Sequence, residues 1–318
     1  MRTRRLGHHG PQLSTIGFGA WEAGKGADWG APPPDEQILE AIRTTLDAGI
    51  SWIDTAEVYG DGTSEKLVGR AVAGRRDDVL LATKVAPEPE GTGFRPEQVA
   101  AACRGSLQRL GVEHLDLYQL HWRDESDVPV EETWGAMAAL VDQGLVRWIG
   151  VSNFDRELIE RCLAIRHVDS LQQEFSMLVR EHAGLIAWCG EQGVGVVTYG
   201  PLAYGLLTGA IDMDTTFAPG DFRSGDDPQD TAVHDELFAP APRRRALDVV
   251  EGMRPLAERL GCTVTQLALA WNVHQPGVTS AIAGSRDPAH VRANAAAGDL
   301  ELDGATLAEL DASLAPTG

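Results

Sequence analysis

The feature that most constrains the fold is an alternation along the 318-residue chain. Short β-branched runs ending in polar residues are each followed by a segment with apolar residues at helical spacing. Strands are expected at Ile16–Gly19, Trp52–Asp54, Val79–Thr83, Leu115–Leu120, Trp148–Val151, Ser170–Glu174, Gly195–Tyr199 and Thr279–Ala283. Between them, Val99, Cys103, Leu107 and Leu110 trace one helical face, and Val130, Thr133, Trp134, Met137, Leu140 and Val141 trace another. Thr263-x-x-Gln266 has the form of a capping box, and Asp287-Pro288 places an N-cap acid and an N1 proline at a helix start. Such alternation implies a parallel sheet with right-handed crossovers. Eight units in one chain favour a closed (β/α)8 TIM barrel, an α/β fold forming a single domain over residues 1–318.

Three segments break the rhythm. Arg5–Leu13, with Gly10-Pro11, is expected to form a small N-terminal β-hairpin that plugs the barrel floor. Ala203–Pro242, after strand seven, is long, rich in Gly, Asp and Pro, and aperiodic; such a stretch is usually a lid or binding loop, or else disordered. Pro255 interrupts the stripe Ala246, Val249, Val250, Met253, Leu256 and Leu260, so that helix should kink or be two pieces.

Composition narrows the partners. The net charge of −20 repels nucleic acid and anionic membrane, so an anionic ligand needs a local basic or backbone-lined site. No apolar run reaches the roughly 18 residues of a membrane span. The basic start, Met1-Arg-Thr-Arg-Arg5, lacks the apolar segment of a signal peptide. Cys103, Cys162, Cys189 and Cys262 are widely spaced and read as buried, reduced thiols of a cytoplasmic protein.

In such a barrel the carboxyl ends of the strands face the active site. Asp54, Lys84 and His121 end strands two, three and four, Ser152-Asn153 end strand five, Gln172 lies on strand six, and Tyr199 ends strand seven. Tyr59, in the turn Glu57-Val-Tyr-Gly60, is near enough to lean over the barrel mouth. Singly, each has an ordinary explanation: a structural Asp54–Lys84 pair, a core histidine, a packed tyrosine. Together at adjacent strand ends, they suggest proton transfer from a phenol. The lysine ammonium would lower the tyrosine pKa from about 10, the aspartate would hold the lysine, and the histidine would hydrogen-bond a substrate oxygen. That suits protonation of a carbonyl oxygen while hydride comes from a nicotinamide or flavin.

Asp54-Thr-Ala-Glu-Val-Tyr-Gly60, Thr83-Lys84, Leu117-Tyr-Gln-Leu-His121, Gly150-Val-Ser-Asn-Phe154, Gln172-Gln-Glu-Phe-Ser176 and Gly17-Phe-Gly-Ala-Trp21 closely resemble the aldo-keto reductase superfamily. The resemblance runs from about Arg4 to Asn294. It implies NADP(H) bound in extended form without a Rossmann domain, and a catalytic tetrad of Asp54, Tyr59, Lys84 and His121 with Tyr59 as general acid. It further implies that Ser152, Asn153 and Gln172 bind the nicotinamide carboxamide and that Tyr199 stacks on the ring. Gly19, Ala20, Trp21, Gly200 and Leu202 would be further cofactor contacts. Ser152 and Asn153 could also serve as helix caps. Gly200 stands where the family usually has serine, and backbone amides would take over that hydroxyl's role. Leu206-Leu-Thr-Gly209 and Gly220-Asp-Phe-Arg223 resemble the cofactor-covering loop of the bacterial, potassium-channel-β-like branch.

Gly284-Ser285-Arg286 matches the family's 2′-phosphate segment, with His290 and Asn294 on the helix that follows. His290 and Ala293 depart from the usual residues there, and Asp287 puts a carboxylate near the phosphate; NADP(H) is favoured over NAD(H). The expected activity is reduction of a small-molecule aldehyde or ketone to an alcohol, reversible in principle. The alternatives are a regulatory cofactor-binding protein of the channel-β type, and a glycosidase-like barrel pairing Asp54 with Glu57 or Glu174, which leaves Lys84 without a role. A metal hydrolase fits less well, because His121-Trp-Arg-Asp124 lacks HExxH spacing. The loops Trp21–Trp29, Val85–Phe94, Trp122–Asp127 and Ala203–Pro242 are expected to build the substrate pocket, with Trp21, Trp29 and Trp122 as an apolar wall. Oligomeric state and substrate identity stay open.

Overall fold

The computed structural model describes residues 1–24, 29–87, 94–123, 126–226 and 232–314. Among them, the parallel strands β3 (Ile16–Gly19), β4 (Trp52–Asp54), β5 (Leu80–Val85), β6 (Leu115–Leu120), β7 (Val146–Ser152), β8 (Ser170–Glu174), β9 (Gly195–Tyr199) and β10 (Val278–Ile282) close into an eight-stranded barrel in chain order, with β10 paired to β3. The helices of the outer ring are α1 (Asp35–Asp47), α2 (Thr63–Val72), α3 (Pro96–Leu110), α4 (Val130–Asp142), α5 (Arg156–Leu163), α6 (Ala183–Glu191), α7 (Pro240–Leu260), α8 (Val264–His274), α9 (Pro288–Ala297) and α10 (Gly304–Ser313). Every expected strand is present.

β1 (Thr3–Arg5) and β2 (Gln12–Ser14) form the expected antiparallel hairpin. Its Leu6 and Leu13 are buried against Trp52, Ala82, Leu117 and Val197 of the barrel interior, so the hairpin fills the floor with side chains. Gly17 lacks a Cβ because Trp52 occupies the adjoining space inside the barrel. A larger core lies between barrel and helices, where Val99, Cys103, Leu107 and Leu110 of α3 and Trp134, Met137 and Leu140 of α4 are buried as their spacing implies. Cys103, Cys162 and Cys189 are buried free thiols and Cys262 is half-buried; burial pushes the first three up to about 12, out of reach of ordinary thiolate chemistry.

Both caps form: Thr263 and Gln266 exchange side-chain and backbone hydrogen bonds at 3.1 and 3.0 Å, and Asp287 Oδ1 accepts from Ala289 N–H at 2.7 Å. The two-piece alternative for the Pro255 helix does not occur. α7 runs unbroken with Pro255 on its exposed side, where water can satisfy the carbonyl that the missing N–H would have bonded. Residues 203–242 are only partly irregular: they hold a pair of tight turns over Ala203–Thr208, a turn of π-helix at His234–Phe238 and the first residues of α7. Positions 25–28, 88–93, 124–125 and 227–231 of the four expected pocket loops lie outside the described residues.

Candidate active site

The barrel brings Asp54, Lys84 and His121 together at the carboxyl ends of β4, β5 and β6. In-register pairing across these strands sets Asp54 beside Ala82 and Lys84 beside Gln119. Lys84 is fully buried, and its Nζ donates to Asp54 Oδ1 at 2.5 Å, to the Thr55 carbonyl at 2.9 Å and to Tyr59 Oη at 3.3 Å. The other carboxylate oxygen of Asp54 accepts from Gln172 Nε2 at 2.9 Å, a link across the barrel. Tyr59 is held by its turn: Gly60 has φ +58°, and a Cβ there would collide with the Gly24 carbonyl, so the turn packs backbone to backbone on the segment after β3. Glu57 braces the same turn by accepting from Ala86 N–H at 2.9 Å and facing Arg109 at 3.5 Å. Glu57 and Asp54 thus both carry cationic partners, which removes the paired free acids that a glycosidase reading needs.

The electrostatics correct one expectation. Burial raises the phenol pKa of Tyr59; Lys84 pulls it back, but not below its ordinary value. The phenol is therefore a firmly protonated acid rather than a partly ionised one. Desolvation alone would lower Lys84, yet Asp54 and Tyr59 together hold its ammonium above the usual lysine range. Burial pushes the Asp54 carboxyl up, while Lys84 and Gln172 favour its ionised form. His121 is driven well below its ordinary value by burial and then by Lys84, so its imidazole is neutral. Its Nδ1 is buried and has no hydrogen-bond partner among the described residues, and the ring lies 5.5 Å from that of Tyr59 and 4.3 Å from that of Trp122.

Beside the tetrad, Asn153 adopts φ +58°, a left-handed conformation that Asn tolerates. Its Oδ1 accepts from Tyr199 Oη at 3.0 Å, and its Nδ2 donates to the His121 carbonyl at 3.2 Å and to Ser152 Oγ at 3.2 Å. The helix-capping alternative for Ser152 and Asn153 is not realised: Asp155 caps α5 by accepting from Leu158 N–H at 2.9 Å. Gly200 has φ +64°, where a side chain would be strained.

These residues open onto a cleft of about 1480 Å³ that runs from Tyr59 and His121 past Gly19, Trp21, Ser152, Asn153, Gln172, Tyr199, Gly200 and Leu202 to Gly284, Ser285, Arg286, His290 and Asn294. Two expected residues do not line it. Lys84 lies behind Tyr59 and Asp54, and Ala20 is buried with its N–H given to Asp54 and its carbonyl taken by Ser64. At the far end, Ser285 Oγ accepts from Asp287 N–H at 3.0 Å. Asp287 turns its carboxylate onto its own helix. Arg286 does not reach into open space: its guanidinium donates to the carbonyls of Trp29 at 2.8 Å and Ala31 at 3.5 Å.

The segment holding Gly220-Asp-Phe-Arg223, expected to cover the cofactor, does lie over the cleft; the contacts that hold it there were not legible in the sequence. Phe222 stacks on Trp21 at 5.4 Å and meets Trp29 edge-on at 5.0 Å and Tyr204 at 5.3 Å, joining the segment after β3 to the segment after β9. Arg223 is held by both oxygens of Asp221, at 2.8 and 2.7 Å, and lies over Phe217 and Trp29. Tyr204 Oη donates to Glu174 at 2.9 Å, so Glu174 anchors a loop. Glu22, also unflagged by the sequence, lines the cleft beside Arg286. Gly220-Asp-Phe-Arg223 pointed to a covering loop by its resemblance, but without periodicity it could not say which side chains would meet. The expected aromatic wall is present, for Trp21, Trp29 and Trp122 all line the cleft.

A long groove ending in a Lys-linked Asp–Tyr pair and a neutral histidine fits an extended dinucleotide better than a compact ligand. The chain is 32% identical over 323 residues to the NADH-specific methylglyoxal reductase of Escherichia coli, with 96% of each covered. Its structure is similar to that of the glycerol dehydrogenase from Gluconobacter oxydans, with TM-score 0.85, 31% identity and coverage of 98% of this chain and 94% of that one. It also matches an aldo/keto reductase from Klebsiella pneumoniae in complex with NADP and acetate, with TM-score 0.73, 33% identity and 98% and 95% coverage. Residues 15–315 match the Aldo/keto reductase family, and this chain belongs to it.

Proposed function

We propose that the protein uses NADPH to reduce an aldehyde or ketone to the alcohol, with Tyr59 as the proton donor. The observation that carries this reading is Lys84 Nζ bridging the Asp54 carboxylate and the Tyr59 hydroxyl at the mouth of a dinucleotide-sized cleft. The residues fit the cofactor. Asn153, Ser152 and Gln172 offer amide and hydroxyl groups for a carboxamide, Tyr199 offers a ring, and the α9 N-terminus with Arg286 suits phosphate. Bound NADPH would supply the hydride to the carbonyl carbon.

The protein's own part is proton delivery and charge stabilisation. Tyr59 Oη gives its proton to the substrate oxygen as negative charge develops there, and Lys84 stabilises the phenolate left behind. Neutral His121 donates a hydrogen bond to the same oxygen without competing as an acid. Held above its ordinary pKa, the phenol stands protonated at neutral pH, the form that reduction requires, and the anion left after transfer depends on Lys84 for its stabilisation. Trp21, Trp29 and Trp122 give the substrate an apolar wall. The relative named for methylglyoxal makes a small ketoaldehyde a reasonable first substrate to assay. The test is NADPH oxidation with methylglyoxal and a panel of aromatic and aliphatic aldehydes. Turnover supports the reading; tight NADPH binding with no turnover on any carbonyl overturns it and favours a regulatory protein.

A further inference from the structure

Glu22 follows β3 in a short 3-10 turn, Trp21–Gly24, and its carboxylate lies in the cleft wall against Gly284, where Oε1 would sit 3.4 Å from a Cβ on that glycine. The backbone N–H of Arg286 favours its ionised form. The charged and titratable groups facing it are Arg286 from the β10–α9 segment, Arg223 from the segment after β9, and His290 on α9. Burial pushes its carboxyl upward, and those three groups with the Arg286 N–H pull it back.

The charges at this end nearly cancel. Arg223 is already neutralised by a two-pronged pair with Asp221. Asp287 is spent on its own helix. Among the described residues the Arg286 guanidinium donates to the neutral carbonyls of Trp29 and Ala31, and Glu22, on the same cleft wall, attracts it through space without a direct ion pair. A 2′-phosphate carries roughly −1.5 to −2 at neutral pH and would need that same arginine. Two anions would then share one cation in a confined site, where a like charge is costly.

We propose that Glu22 is a specificity-determining residue for the dinucleotide: its carboxylate, in the cleft wall against Gly284, opposes the 2′-phosphate that Arg286 attracts, so the wild-type protein separates NADPH from NADH less sharply than Arg286 alone would allow. This rests on the reading of the cleft as a dinucleotide site with Arg286 at the adenosine phosphate. Glu22→Gln keeps the shape and an acceptor oxygen while removing the charge.

The test is a double-mutant cycle. NADPH and NADH are titrated by quenching of tryptophan fluorescence against wild type, Glu22→Gln, Arg286→Met and the double variant, each checked by its melting curve. Glu22→Gln should raise the NADPH-to-NADH affinity ratio by about tenfold. In the Arg286→Met background the same substitution should leave the ratio nearly unchanged. Glu22→Ser stands in should the glutamine variant melt abnormally, and the same gain is expected of it. An unchanged ratio overturns the proposal. So does an equal gain for both dinucleotides, which would place the carboxylate at the shared pyrophosphate. Failure of the underlying reading looks different: wild type that binds neither dinucleotide, or Arg286→Met that leaves both affinities intact, removes the phosphate site itself.

Discussion

The two ends of the cleft are built differently. At one end, Asp54, Lys84 and Gln172 stand on strands and are buried, Tyr59 leans in half-buried from the turn after β4, and the side chains bond mainly to one another: Lys84 to Asp54 and Tyr59, Asp54 to Gln172, Asn153 to Tyr199. At the other end, where the proposed function places the adenosine, Glu22, Arg223 and Arg286 stand on connecting segments and one helix start, and the two arginines bond to a loop acid and loop carbonyls. A barrel strand fixes the direction of its side chain through ladder hydrogen bonds, whereas a loop cation takes whichever partner its neighbours offer. The Asp54–Lys84–Gln172 network is therefore positioned by the sheet, whereas the charges at the other end depend on a few loop partners.

Breaking the catalytic end should have the largest effect on the molecule as a whole. Lys84→Met leaves the Asp54 carboxylate, among the described residues, with Gln172 as its partner and removes the cation bonded to the Tyr59 hydroxyl. Breaking a buried pair from one side costs about 3–5 kcal/mol. Urea unfolding should show a loss of that order, accompanied by loss of turnover. An unchanged urea midpoint would mean the pair contributes nothing to the fold.

Breaking the adenosine end should be milder and selective. Arg286→Ala should raise the NADPH dissociation constant by about tenfold to a hundredfold, the worth of one charge-assisted contact. NADH should weaken far less. Some loss is expected for it too, because the guanidinium also holds the carbonyls of Trp29 and Ala31 over the cleft. Equal losses would show that Arg286 acts by holding the loop and not by gripping phosphate.

The smallest effect sharpens the contrast through pH. His121 is held neutral well below its ordinary pKa of 6.5, whereas in the unfolded chain it takes up a proton near that value. Its stabilising share is intact above pH 6.5 and is lost as pH falls toward the folded-state value, at up to about 1.4 kcal/mol per pH unit. His114, His167 and His274 are shifted the same way, so the signal is the difference between wild type and His121→Gln. The variant should lose less stability between pH 7 and roughly pH 5. Parallel curves would mean His121 titrates normally in the fold.

The same division decided what the sequence revealed. Strands such as Leu115–Leu120 and Gly195–Tyr199 were legible to the residue because polar strand ends and flanking helical stripes bracket them. That Asp54, Lys84 and His121 would meet was legible for the same reason, since a strand-end residue has a known direction, and Tyr59 followed from its short turn after β4. The net rise in the Tyr59 pKa was not, because it depends on how completely the phenol is desolvated, and spacing carries no burial. Glu22, Phe222 and Arg223 meet through segments without periodicity, so nothing local in the chain couples them. Pro255 misled by half: a proline forbids one hydrogen bond, but on an exposed helix face water replaces it.

The central claim is that Tyr59 supplies the proton to a carbonyl. The direct measurement is single-turnover reduction of an aldehyde by the preformed NADPH complex, comparing wild type with Tyr59→Phe and with NADPH affinity measured in parallel. Removing a general acid should slow the chemical step by about 10²–10⁴-fold while the dissociation constant of NADPH stays nearly constant. Phenylalanine keeps the packing against Trp21 and loses only the hydroxyl bonded to Lys84. A variant that reduces the aldehyde at the wild-type rate would contradict the assignment and move the proton donor elsewhere in the cleft.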